Sequence, residues 1–170
     1  AISLAEARTR TFARRKIFIV STPTISGASA IEREYEASDQ RRYFVPCPHC
    51  NHPQWLRFEQ LRWDKGQPET AAYICESCDT AISEHHKTWM LERGEWRSMA
   101  QGKTAGFHLS SLYSPVGWRS WRDIAAAWEA AVNKESGSAA AIKTFKNTEL
   151  GETWVEEGEA PDWQRLVERR

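Results

Sequence analysis

Four cysteines constrain this chain more than any other residues do. They fall as two pairs, "CPHC" at 47–50 and "CESC" at 75–78, with 24 residues between the pairs, and the chain has no other cysteine. Two C-x-x-C turns suit tetrahedral coordination, because each points two thiolates at one metal ion. The position after each pair favours a residue that tolerates a left-handed backbone. Asn51 and Asp79 stand there, and both side chains tolerate that conformation better than most. The spacing therefore predicts a zinc ribbon with Cys47, Cys50, Cys75 and Cys78 as ligands of one Zn2+. Four protein ligands would close the coordination sphere and leave no place for a reacting water, which makes the site structural. His49 and His52 then read as surface residues. A redox role for the pairs would need a thioredoxin-like context, which the sequence does not supply.

Composition sets the frame around that site. Of the 170 residues, 41% are hydrophobic and 27% charged, as in a globular chain long enough for its own core. Formal net charge is +0, so attraction to nucleic acid would have to come from a local patch. No apolar run approaches a membrane span and no signal-peptide pattern opens the chain. A reducing, cytosolic setting is the default expectation, with thiols in preference to disulfides. Both ends read as interrupted helices, which suggests a piece of a longer protein. A trimmed small protein is the alternative.

Along the chain, 3–14 reads as a helix capped at Ser3, and the apolar "KIFIV" at 16–20 as a buried strand of a parallel sheet. The strand ends in a polar turn, "STPTISG". Helices are expected at 83–94, ended by Gly94, at 120–132, and from 139. Ser120 and Asp123 form a capping box for the second of these, and Trp121, Ile124, Trp128 and Ala131 form its buried stripe. A strand is expected at 106–113 and a loop at 134–139. Residues 147–162, with six acids and no base, read as an exposed connector.

The runs "RTRTFARRKIFIVSTPTISGASAIEREYEASDQRRYFVPCPHC", "YICESC", "LERGEW", "GFHLSSLYSP" and "FKNTELGETW" recur in order. In this they resemble the large terminase subunit of tailed bacteriophages, of the lambda type. The resemblance implies an α/β fold, the C-terminal part of a RecA-like P-loop ATPase domain with an inserted zinc ribbon. It assigns 1–42 to an ATPase-core segment, 43–82 to the ribbon, 83–147 to the rest of the ATPase domain and 148–170 to a linker toward a nuclease. Ser21, Thr22, Pro23 and Thr24 match the family's ATPase coupling motif, and the four cysteines match its zinc site. In the intact protein it implies ATP, Mg2+, ATP-driven DNA translocation and endonucleolytic cutting. The implied partners are double-stranded viral DNA, the small terminase subunit, the portal or procapsid and other terminase subunits, in the host bacterial cytoplasm and with no membrane.

The chain lacks a GxxxxGK[ST] loop, and with it a phosphate cradle. No strand ends in paired acids for Mg2+, and no carboxylate cluster suggests a two-metal nuclease. The chain alone is therefore expected to hydrolyse neither ATP nor DNA. Arg8, Arg10, Arg14, Arg15 and Lys16, with Arg41 and Arg42, are the candidate DNA or inter-subunit contacts. Ordinary solvated faces are the plainer reading of such runs. A stand-alone zinc-ribbon adaptor, binding nucleic acid or protein without catalysis, is the alternative function.

Overall fold

The computed structural model describes residues 2–133 and 137–155. Helix α1 (Ile2–Thr9) opens the chain. It includes Ser3 and stops well before residue 14. Residues 16–20 then depart from expectation. They form no strand and no helix among the described residues, and Ile17, Phe18 and Val20 are 45%, 86% and 73% exposed. An apolar run becomes a buried strand only when neighbours pair its backbone and cover its faces. Among the described residues none pairs this run, and only Ile19 is half-buried.

After the turn at 25–28 and helix α2 (Ala30–Glu36) comes the principal sheet. Strand β1 (Arg41–Pro46) is its spine. It pairs antiparallel with β2 (Pro53–Trp55) and with β6 (Glu95–Arg97), and parallel with the two-residue β7 (Phe107–His108). The strand expected at 106–113 is thus cut to its first residues, and a 3-10 turn at Ser111–Tyr113 replaces the rest. A second sheet, β3 (Leu61–Asp64), β4 (Gln67–Ile74) and β5 (Ala81–Ile82), is wholly antiparallel. The mixture of helices and sheets is α/β in content, but among the described strands only the β1–β7 pair is parallel, beside one isolated parallel bridge between Ile25 and Trp154.

Helix α3 (Lys87–Glu92) follows a 3-10 turn and ends two residues before Gly94. That glycine is fixed by packing. A Cβ there would lie 2.5 Å from the Tyr43 ring. Helix α4 (Trp121–Val132) carries the full capping box between Ser120 and Asp123. Trp121, Ile124 and Ala131 are buried and Trp128 is half-buried, as the stripe requires. Helix α5 (Ala139–Phe145) runs into a π-helical turn, Lys146–Leu150. Leu150 is 4% exposed, so the first residues of the expected connector pack against the body. Residues 134–136 of the expected loop and everything beyond 155 lie outside the described residues.

The core lies where the second sheet meets α4 and the 3-10 turn at 111–113. Trp121 is fully buried, its indole N–H donates to the Leu112 carbonyl at 3.0 Å, and its ring lies 5.8 Å from that of Tyr73. Two buried tyrosine hydroxyls tie down the segment after β2. Tyr113 accepts from the Leu56 amide at 2.6 Å and donates to the Tyr43 carbonyl at 2.7 Å. Tyr73 accepts from the Arg57 amide at 3.0 Å. Lys87 is also fully buried, and its ammonium donates to Glu84 at 2.7 Å. Glu84 also accepts from the Trp121 amide at the start of α4, so the charged pair locks α3 to α4 with its hydrogen bonds satisfied.

Candidate metal centre

Each cysteine pair caps a hairpin. The first lies between β1 and β2, the second between β4 and β5, and the two turns are built alike. Cys47 donates its amide to His52 O and Cys75 to Thr80 O. The carbonyls of Cys47 and Cys75 accept from the amides of Asn51 and Asp79, at 2.9 and 3.1 Å. The sulfurs of the same two cysteines each receive an amide from two residues on, His49 and Ser77, both at 3.4 Å. Asn51 and Asp79 take the left-handed conformation, with φ of 61° and 53°. The sequence reading of the turns holds in both.

The two turns face each other. Cys47 Sγ lies 3.9 Å from Cys78 Sγ, Cys50 Sγ lies 3.7 Å from Cys75 Sγ, and all four sulfurs fall within 4.8 Å of one another. The group could hold a metal ion. Cys47 and Cys75 are buried, Cys78 is half-buried and Cys50 is exposed. Burial pushes the Cys75 thiol up to about 12, while hydrogen bonds from Thr80 bring Cys78 down to about 6. Glu76 braces the turns from outside, pairing with His52 and Arg57, while its amide donates to the buried Gln54 of β2. His52 is therefore a strut between the turns. His49 is exposed, with its ring 5.6 Å from His86.

Ser21, Thr22 and Thr24 are exposed and Pro23 is buried. Their loop is tied to the far end of the described chain. The Thr24 carbonyl accepts from the Trp154 amide and the Ser26 amide donates to Trp154 O, both at 2.9 Å. Glu32 closes the same clasp, accepting from Ser26, Gly27 and Thr153. Those hydrogen bonds, that from Thr153 foremost, hold its carboxyl below the usual range.

The basic candidates divide. Arg8, Arg10, Arg14, Arg15 and Lys16 are all exposed. Arg41 is paired with Asp39 at 2.8 Å. Arg42 lies between the Tyr35 and Trp55 rings and bonds His108 Nδ1. Sequence reasoning missed His108, Glu32 and Tyr113. The partners of His108 and Tyr113 lie dozens of positions away, and Glu32 joins the nearby Ser26 and Gly27 to Thr153, 121 positions on, so no local pattern marks these roles.

The family model of the phage terminase large subunit gpA, ATPase domain, matches residues 1–96. The chain belongs to the phage terminase large subunit family. A second model, the endonuclease domain of terminase large subunit gpA, matches residues 104–170. The first match ends within β6 and the second begins in the loop before β7, and the endonuclease match includes residues 104–147, which the sequence reading gave to the ATPase region. The large terminase subunit of Enterobacteria phage P21 is 34% identical over 175 residues, covering 88% of this chain. That of Escherichia phage lambda is 31% identical over 178 residues, again with 88% covered. The chain spans 26% of the length of either relative. No solved structure matches it.

Proposed function

We propose that the chain is the part of a DNA-packaging terminase large subunit in which the motor ATPase passes into the endonuclease, and that its four thiolates hold one structural Zn2+. One observation carries the first half: matches to both domains adjoin in one chain. On this reading the first half is the C-terminal part of a RecA-like P-loop domain, and the bare run at 16–20 is a strand whose sheet neighbours belong to the rest of the intact protein. ATP, Mg2+ and the nuclease carboxylates act there, and the chain alone hydrolyses neither ATP nor DNA. Duplex viral DNA, the small subunit, the procapsid portal and further large subunits are the partners, in the host cytoplasm. A free zinc-ribbon adaptor accounts for the thiols but not for the two family matches.

The metal assignment rests on fit. A tetrahedron with Zn–S bonds of about 2.3 Å has sulfur–sulfur edges of about 3.8 Å. The two close sulfur pairs, at 3.7 and 3.9 Å, bracket that value. Cys47, Cys50, Cys75 and Cys78 would fill the sphere, so the ion would fix the hairpins together and perform no hydrolysis. Elemental analysis with a thiol titration tests this. One zinc per chain, with thiols shielded until chelator is added, supports it. Four freely reactive thiols and no metal would remove it.

The clasp supports a coupling role for Ser21, Thr22, Pro23 and Thr24, because it joins that loop to the endonuclease-matching part. In the intact large subunit, Thr22→Ala should lower DNA translocation more than nucleotide binding. Equal losses of both would refute coupling.

A further inference from the structure

One face of the principal sheet points away from the core, and cross-strand register sorts its side chains into rows. Arg42 stands opposite Arg97, Phe44 opposite Trp55, and Pro46 opposite Pro53. Tyr43, Val45 and Gln54 alternate with them and face inward, with Val45 and Gln54 fully buried. Successive rows on a strand are two residues apart, about 7 Å.

The arginine row is unusual for a sheet. Like charges placed directly opposite each other are destabilising. Arg97 is paired with Glu95. Arg42 has no ion pair among the described residues and is held by rings and by His108. Both guanidiniums also stack on the aromatic row, Arg97 at 4.9 Å from the Phe44 centroid and Arg42 at 4.5 Å from that of Trp55. Beside them is an open hollow of about 370 Å³, lined by Phe44, Pro46, Pro53, Arg93, Arg97 and the acidic Glu95 among others. α2 meets this face through Tyr35, whose ring lies against Arg42.

We infer that this face binds an unpaired nucleic-acid strand, with phosphates at Arg42 and Arg97 and bases laid against Phe44, Trp55 and the proline row. Guanidinium forks match phosphate oxygens. Rings and guanidinium planes offer bases a stacking surface, which only unpaired bases can use, since a duplex keeps their faces stacked inside. The site lies beyond the terminase reading and stands on its own geometry.

The test is fluorescence anisotropy of a labelled oligothymidylate and of a duplex of equal length, titrated with the full chain. The single strand should bind more tightly. Arg97→Ala and Phe44→Leu should each weaken it about tenfold, and Arg97→Ala should reduce the salt slope by about 0.7. Arg14→Ala with Arg15→Ala should leave the preference for the single strand intact. Circular dichroism and melting check the fold. Because the Arg97 side chain is solvent-facing, that variant decides the matter if Phe44→Leu unfolds. No binding of the oligothymidylate, binding of the duplex as tight as that of the single strand, or loss confined to the Arg14/Arg15 variant would overturn the proposal.

Discussion

His108 is held neutral. Burial first, and then the Arg42 guanidinium, push its pKa from 6.5 down to about 4. With Arg42 donating to Nδ1, the ring hydrogen sits on Nε2 and goes to the Gly151 carbonyl at 3.0 Å. Between pH 6.5 and about 4 the unfolded chain takes up a proton that the folded chain refuses, so stability falls as pH falls through that window. The full effect is about 3 kcal/mol at most. His108→Gln removes the titration, and its melting temperature should drop less than that of the native chain across the same range. Parallel curves would show that His108 does not titrate differently on folding. The residue was silent in the sequence because its partners are 66 and 43 positions away. The cysteines and the two left-handed residues after them were legible because turn geometry is local.

Elements show a similar divide. Helix α4 was readable from its first turn, since a Ser-x-x-Asp box and an apolar stripe are complete within a dozen residues. Ser120→Ala should cost about 1 kcal/mol, measured by thermal melting, because it frees the Asp123 amide that Ser120 now accepts at 3.0 Å. Residues 16–20 have the composition of a buried strand but, among the described residues, no strand to pair with. A helix satisfies its own backbone, whereas a strand depends on other segments to do so. The same dependence explains why only two residues of the expected strand at 106–113 pair with β1.

At the scale of the whole molecule the two cysteine-bearing hairpins are tied into the rest of the fold. β1 belongs both to the first cysteine hairpin and to the sheet with β6 and β7. Glu129 of α4 accepts from the Trp63 indole at 3.0 Å and from the Gly66 amide at 2.7 Å, and Tyr73 packs on Trp121. A structural zinc contributes on the order of 10 kcal/mol to the module that holds it. On the zinc reading proposed above, loss of one of the four thiolates should therefore be felt in α4 as well as in the hairpins. For Cys47→Ser, melting followed by helix signal and by tryptophan fluorescence should coincide and shift down together. Two separated transitions would mean that the ribbon folds on its own.

The end of β6 and the loop after it divide the chain by kinship but not by mechanics. β7 beyond it lies on β1 before it, Trp154 is bonded to Thr24 and Ser26, and His108 braces Arg42. Tailed phages that exchange genes by recombination would find this loop an awkward crossover point. A hybrid joined there inherits a β1 from one parent and a β7 from another, and it keeps its shape only if both lineages preserved the same handshake. Parents that had drifted apart at Arg42 and His108 would yield an in-frame chimera of two sound halves that no longer grip each other.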